Sequence, residues 1–221
     1  INAILRKLSR DFENNKLDKL SSLKNIPIEI KKRWEKALNE DQLKKIAKQL
    51  LITPPALDIS ISPEEDVIKW RDSLKGETFG KNNIRLLSNY GKIEKLPGYN
   101  EGKWWIQDIA AQLPVKLLLK KIKKNANVID MCAAPGGKTA QLLSNNLKVT
   151  SIESNKIRAN ILNTNLSRLN LKTNLLLQDA NQYTPEKPAD AVLLDAPCSS
   201  SGTLRKNPDI LAAVSQHPKR P

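Results

Sequence analysis

A carboxylate and a thiol lie three positions apart in the stretch DAPCSSSGTLRKNPDI, at Asp195 and Cys198. A thiolate that adds to carbon 6 of a pyrimidine produces an enamine, and carbon 5 of that enamine can take a methyl group from a sulfonium. A neighbouring carboxylic acid can bond the polar edge of the base and stabilise the charge that develops there. Asp195 and Cys198 are therefore residue types that methyl transfer to carbon 5 of a pyrimidine needs.

A glycine-containing loop joins two apolar segments in VIDMCAAPGGKTAQLL, residues 128–143. The letters GKT fit the second half of the phosphate-binding pattern G-x-x-x-x-G-K-[ST]. The first glycine of that pattern would fall where this chain has Cys132, and a side chain removes the backbone freedom that glycine supplies. The acid that ends AVLLD, Asp195, could hold magnesium in such a protein, so a P-loop NTPase stays an alternative.

Four short apolar runs follow one another in the second half of the chain: NVIDM, KVTSIE, NLLLQD and DAVLLDAP. Helical stretches separate the first three of them. Strands that alternate with helices predict βαβ units and a parallel sheet, which is an α/β fold. Each run ends in or near a carboxylate, and these are Asp130, Glu153, Asp179 and Asp195. Because ligands of open α/β sheets bind at the carboxyl ends of the strands, we expect the four acids to line one site.

The positions of two of these acids favour a cofactor that contains a ribose. Glu153 lies 16 positions beyond Gly137, where a Rossmann-like fold places the acid that binds ribose hydroxyls. Asp179 is placed to meet an adenine edge. S-adenosyl-L-methionine carries a ribose, an adenine, an amino group and a positive sulfonium. A site with several carboxylates therefore suits this cofactor better than it suits a negatively charged triphosphate.

The composition indicates a polyanionic partner. The chain has 37 Lys and Arg against 23 Asp and Glu, a formal net charge of +14, and nucleic acid is the usual partner of so basic a protein. Two cysteines and one histidine predict neither a disulfide framework nor a metal site. The absence of a disulfide framework fits a reducing setting, so we expect a cytoplasmic protein. No apolar run approaches the ~20 residues of a membrane span. Because the sequence starts at Ile1 and not at a methionine, we also expect that its true N-terminus is missing.

Three regions differ in pattern. Apolar stripes at helical spacing predict a helical segment over residues 1–55. Residues 56–103 mix short helix, strand and turn signals and predict a small α+β subdomain. Residues 104–221 contain the loop and the four apolar runs, and we expect them to form the N-terminal part of a catalytic domain.

Two motifs together, DMCAAPGGKT and DAPCSSSGTLRKNPDI, resemble those of the RNA (cytosine-5)-methyltransferase family. The resemblance covers about residues 27–210 and is greatest to bacterial enzymes that act on 16S ribosomal RNA. WWIQDIAAQLP is similar to the motif upstream of the family's cofactor loop, and residues 1–55 are similar to the end of a NusB-like RNA-binding region and its linker. The family implies a Rossmann-like S-adenosylmethionine-dependent methyltransferase fold, of which this chain would hold the first four parallel strands.

The same resemblance implies the site residues. The loop surrounds the methionine end of the cofactor, Glu153 binds the ribose, Asp179 lies near the adenine, and Asp195 lies beside the methyl group and the target base. The residues expected to bind S-adenosyl-L-methionine are Cys132, Ala133, Ala134, Pro135, Gly136, Gly137, Lys138, Glu153, Asp179 and Asp195. In this family the attacking cysteine belongs to a later Thr-Cys motif, which we expect beyond Pro221, and the thiol equivalent to Cys198 helps to release the product. DNA cytosine methyltransferases attack with their Pro-Cys thiol, so Cys198 stays open as the nucleophile. Glu153 departs from the aspartate that the family commonly has.

The favoured hypothesis is therefore methyl transfer from S-adenosylmethionine to carbon 5 of a cytidine in small-subunit ribosomal RNA. We expect the 221 residues to be a truncated, monomeric form that is inactive alone. Two alternatives stay open: a non-catalytic RNA-binding remnant and the P-loop NTPase.

Overall fold

The computed structural model describes residues 2–14, 23, 26–50, 55–87, 90–198, 200, 203–207 and 210. The chain divides into two compact units, one formed by Ile1–Pro55 with Cys198–Pro221 and the other by Ala56–Pro197. The three-domain division with bounds at residues 55 and 103 stays a prediction.

The described part of the first unit contains three helices, and their bounds are α1 Asn2–Glu13, α2 Ile28–Trp34 and α3 Glu40–Leu50. A reciprocal cap starts α3, because Asn39 Oδ1 accepts from the Gln42 N–H and Gln42 Oε1 accepts from the Asn39 N–H, both over 2.9 Å. The helical prediction for this region is confirmed for the described residues. Turns follow the end of α2 at Trp34.

The second unit begins with an antiparallel sheet in the order β2-β3-β1-β4. Its elements are β1 Leu57–Ile61, α4 Val67–Leu74, β2 Glu77–Thr78, β3 Asn83–Leu86 and β4 Trp104–Ile106. Its core is apolar, with Ile59, Ile84 and Trp104 fully buried. The strand over residues 57–61 pairs with both β3 and β4 inside this sheet.

The segment after β4 contains two short helical turns that a loop separates from the strand. A loop and a 3₁₀ turn, Ala110–Gln112, precede α5, Leu113–Leu118. Proline has no N–H to donate within a helix, so Pro114 belongs in the first turn. The helix therefore begins at Leu113.

A parallel sheet follows, in the order β7-β6-β5-β8. Its elements are β5 Asn127–Met131, α6 Gly137–Leu143, β6 Lys148–Glu153, α7 Lys156–Arg168, β7 Asn174–Leu177 and β8 Ala191–Leu194. The four predicted strands and their parallel pairing are confirmed. Asn155 caps α7, and Leu162 and Leu166 are buried on its inner face. In the part of the chain that the structure describes, no helix is long and apolar enough to cross a membrane.

Candidate active site

The loop between β5 and α6 consists of residues 132–136. Cys132 and Gly136 have positive φ values of 59° and 103°, so the backbone turns sharply at both ends of the loop. A Cβ on Gly136 would come within 3.3 Å of Leu162 Cγ on α7, and this space and the φ value both favour glycine. The predicted arrangement of strand, loop and helix is confirmed, with the helix beginning at Gly137.

Asp130 lies at the end of β5 and is fully buried. Thr139 Oγ1 donates a hydrogen bond to Asp130 Oδ2 over 2.6 Å. The other oxygen, Oδ1, is buried and has no hydrogen-bond partner among the described residues. Burial raises the pKa of Asp130 to about 6, because desolvation penalises the charged form. A cationic ligand group beside Oδ1 would satisfy this oxygen and favour the carboxylate.

Glu153 ends β6 and is 3% exposed. Its Oε1 accepts from the Asn155 N–H over 3.0 Å, and its Oε2 accepts from the Ala134 N–H over 3.4 Å. Arg158 Nη2 lies 3.8 Å from Glu153 Oε2 and donates to the Ala134 carbonyl over 2.7 Å. Glu153 and Arg158 together therefore hold the backbone of the loop at Ala134.

Asp179 follows β7, which pairs with β6 in the sheet. It is exposed, and its Oδ1 accepts from the Asn181 N–H over 2.9 Å, which caps the 3₁₀ turn Ala180–Gln182. Glu153 and Asp179 thus end neighbouring strands, as the sequence predicts. Their environments differ, since one carboxylate is buried in the loop contacts and the other faces solvent.

Asp195 directly follows β8 and forms an ion pair with Lys138 in the first turn of α6, with 2.5 Å between Lys138 Nζ and Asp195 Oδ2. The two residues line a cavity of about 170 Å³ that also contains Asp130 and Cys132. The loop residues Ala133, Ala134, Pro135 and Gly137 form another part of its lining. The cavity therefore gathers the loop and two of the four predicted acids.

The remaining wall of this cavity comes from a segment in which the sequence predicts no site residue. Ile106, Gln107, Asp108 and Ala111 line it. Gln107 is buried, and its Nε2 donates to Gln141 Oε1 on α6 over 2.9 Å. The motif WWIQDIAAQLP was the available signal, but it points to these positions only through the family resemblance.

The two cysteines have different surroundings. Cys132 is half-buried in the loop. Burial raises the pKa of the Cys132 thiol, and the nearby Glu153 carboxylate raises it further. Cys132 is therefore a neutral thiol at neutral pH and a poor nucleophile. Cys198 is exposed. It belongs to the other compact unit, as the first residue of Cys198–Pro221. Its role stays a prediction.

The residues present suit S-adenosylmethionine. Its ammonium and sulfonium are cations, and the described cavity offers the orphan oxygen of Asp130 and the carboxylate of Asp195. The loop contains Gly136 and leads into Gly137, and both allow a ligand to approach the backbone closely. Within the described ranges, no three side chains of His, Cys, Asp or Glu come together as a metal site.

The fold and the loop define the class. A parallel sheet in the order β7-β6-β5-β8, with this loop after its central strand β5, is the Rossmann-like fold of S-adenosylmethionine-dependent methyltransferases. This confirms the predicted Rossmann-like fold class and the predicted cofactor, S-adenosylmethionine. Residues 117–219 match the family model described as "16S rRNA methyltransferase RsmB/F". This match of a little under half of the chain confirms the recognition made from the two motifs, a resemblance to the RsmB/F methyltransferases.

Relatives with known names agree with this assignment. The chain is 42% identical over 127 residues to the probable ribosomal RNA small subunit methyltransferase B of Coxiella burnetii, covering 53% of this chain and 29% of that protein. It thus spans less than a third of the length of the curated relatives it matches.

Two solved structures share the fold. A methyltransferase homolog protein from Pyrococcus horikoshii is 27% identical, with a TM-score of 0.59 over 76% of this chain and 59% of that chain. NSun6 from Pyrococcus horikoshii, solved with SFG, is 18% identical, with a TM-score of 0.67 over 80% of this chain and 72% of that chain. At that identity the second likeness concerns the fold alone.

Proposed function

We propose that the chain is part of an enzyme that transfers a methyl group from S-adenosylmethionine to carbon 5 of a cytidine in RNA. We further propose 16S ribosomal RNA as the substrate, the bacterial cytoplasm as the location and a monomer as the working form. The observation that carries the proposal is the cavity in which the buried oxygen of Asp130 and the Lys138–Asp195 pair meet the loop. The names of the bacterial relatives support the choice of substrate.

The bound cofactor would supply an electrophilic methyl group next to a positive sulfur. Asp130 and the loop would bind its methionine end, and their contacts with cationic groups would orient it. Glu153 would keep the loop in place and accept a ribose hydroxyl, and Asp179 would contact the adenine. These roles are all proposals, and the buried position of Glu153 supports a role in fixing the loop.

Asp195 is the proposed contact to the target base. It lies at the mouth of the cavity and is 58% exposed, so a flipped cytosine could reach it. Lys138 pairs with Asp195 Oδ2 and directs the carboxylate towards the loop. The carboxylate would accept a hydrogen bond from the exocyclic amine of cytosine, which places carbon 5 near the methyl group.

The chemistry also needs a thiolate at carbon 6. That thiolate adds to the ring, carbon 5 takes the methyl group, a base removes the proton from carbon 5, and the thiolate is expelled. Cys132 is unsuited because its pKa is raised. Neither Cys132 nor Cys198 lies in a Thr-Cys dipeptide, so we propose Cys198 for product release and a further cysteine for attack.

Nucleoside analysis tests this function. Small-subunit ribosomal RNA is incubated with labelled S-adenosylmethionine and with a protein that contains these residues together with a Thr-Cys motif. The expected product is 5-methylcytidine. Label on another atom would contradict the carbon 5 assignment. RNA binding without cofactor binding would indicate the non-catalytic remnant, and ATP hydrolysis would indicate the NTPase.

A further inference from the structure

A second cavity, of about 250 Å³, is lined by residues of β1, β4, α5 and α6 and of the loop before β3. We call it the amide pocket, because side-chain amides and two lysines provide its polar lining. Its defining residues are Lys81, Asn82, Asn83, Lys116, Gln141 and Asn145. It shares no lining residue with the candidate active site.

The amide of Asn83 is fixed in one orientation. Asn83 is 1% exposed, and its Nδ2 donates to the Ile59 carbonyl over 3.4 Å and to Ser60 Oγ over 3.3 Å. Its Oδ1 therefore faces the other way and accepts from Lys116 Nζ over 3.2 Å. The half-buried ammonium of Lys116 is thus held by a neutral oxygen at the edge of the pocket.

The charge of this pocket is uncompensated. Lys81 and Lys116 are its only charged lining residues, and among the residues that the structure describes neither of these lysines forms an ion pair with a carboxylate. Removing part of the water around an ammonium costs free energy that a neutral partner offsets only in part. An anion in the pocket would offset the rest, because Lys116 has two further N–H donors and the Asn82 side chain offers more.

The pocket also adjoins the candidate active site through one buried side chain. Gln107 Oε1 accepts from Ser60 Oγ over 3.1 Å, and Gln107 Nε2 donates to Gln141 Oε1 over 2.9 Å. Ser60 and Gln141 line the amide pocket, whereas Gln107 lines the candidate active site. A polyanion bound in the pocket would therefore lie on the opposite side of Gln107 from the candidate active site.

We propose that the amide pocket binds a phosphodiester group of the RNA substrate. This assignment rests on the proposed function for the identity of the polyanion. Lys116 and Lys81 supply the charge, and the Asn82 amide supplies a neutral donor for a phosphate oxygen. The net charge of +14 agrees with a polyanionic ligand.

A pair of matched variants tests the pocket. Lys81→Gln with Lys116→Gln removes both charges from the lining, and Gln at position 116 can still donate to Asn83. Lys120→Gln with Lys121→Gln is the control, since both lysines are exposed, follow α5 and lie outside the pocket. The whole chain is titrated with a short single-stranded RNA over a series of salt concentrations, and circular dichroism checks the fold of each variant.

We expect the pocket variant to bind the RNA about tenfold more weakly than the control variant. The slope of log affinity against log salt should become shallower by about 0.7 for each phosphate that the pocket variant fails to neutralise. Equal affinities and slopes for the two variants would overturn the proposal.

A second measurement uses the unaltered chain and distinguishes free phosphate from RNA. The side-chain amide signals of Asn83 and Asn145 are followed by NMR during titration with the RNA and, separately, with inorganic phosphate. Shifts with RNA support the proposal. Shifts with inorganic phosphate alone would overturn it in favour of a free-anion site. Binding of S-adenosylmethionine is measured by calorimetry in both variants and tests the proposed function independently of the pocket. Failure of the phosphodiester site is therefore distinguishable from failure of the proposed function.

Discussion

Lys138 Nζ lies 2.5 Å from Asp195 Oδ2, and this ion pair ties the first turn of α6 to the end of β8. The Lys138 side chain is 17% exposed and that of Asp195 is 58% exposed. An ion pair with so exposed a partner contributes little to folding. The pair therefore serves to direct the carboxylate towards the cavity, and stability and function should respond differently to its removal.

Asp195→Asn should separate the two effects. We expect the free energy of unfolding to fall by about 1 kcal/mol or less, as measured by denaturant titration. Methyl transfer, measured in a protein that contains these residues together with a Thr-Cys motif, should fall by about 100-fold or more, because the variant has no preorganised charge at the reacting base. Asp190→Asn is the control, since Asp190 is exposed before β8 and bonds the Asn127 N–H. An equal decrease of transfer in both variants would contradict the role of Asp195.

The buried carboxyl of Asp130 predicts a pH dependence of stability. Its pKa is about 6 in the folded chain against 3.8 for an ordinary aspartate, so the folded chain holds the proton more tightly. Stability from this group is therefore greatest below about pH 4, falls as the pH rises to about 6 and is constant above that. The total decrease should be about 3 kcal/mol. Asp130→Asn should remove this slope from denaturant titrations made across the range.

The affinity for S-adenosylmethionine should change with pH in the opposite direction. A cationic ligand favours the charged form of Asp130, so calorimetry should show the affinity rising as the pH passes from 5 to 7. The rise should be absent in Asp130→Asn, which can still accept from Thr139. A rise of the same size in that variant would show that another group titrates.

Glu153→Ala removes a buried acceptor from two backbone N–H groups. We expect the free energy of unfolding to fall by about 2–3 kcal/mol and the cofactor affinity to fall by an amount on the order of 1–3 kcal/mol. Glu186→Ala, at an exposed position, should change neither. Unchanged calorimetric affinity in Glu153→Ala would exclude both its ribose contact and its role in holding the loop.

The sequence predicts where several acids lie, because an acid after a buried apolar run must lie at the carboxyl edge of a parallel sheet. Glu153, Asp179 and Asp195 lie at these strand ends, and their roles stay predictions. The sequence pattern does not distinguish the buried Glu153 from the solvent-exposed Asp179, because each acid follows a similar apolar run. Gln107 was missed because its position depends on β4 pairing with β1 in a separate sheet, which no local pattern around Gln107 shows.

Two glycines have similar backbone conformations but different surroundings, and one of them lies against the end of α7. Gly102 and Gly91 have φ values of +66° and +70°. A Cβ on Gly102 would come within 2.1 Å of the Arg168 carbonyl oxygen, whereas one on Gly91 would meet nothing within 4 Å. We expect Gly91→Ala to cost about 1 kcal/mol for the backbone alone. Gly102→Ala should cost at least about 2 kcal/mol more, as measured by thermal and denaturant unfolding. Equal costs would contradict the close approach.

The cavity between the loop, Asp130 and the Lys138–Asp195 pair is the proposed binding site of S-adenosylmethionine, and every assigned role depends on it. Calorimetric titration of the chain with S-adenosylmethionine and with ATP tests this site most directly. We predict binding of one S-adenosylmethionine per chain, weakened in Asp130→Asn, and no measurable heat with ATP. Binding of ATP with comparable affinity, or no binding of S-adenosylmethionine, would contradict the assignment.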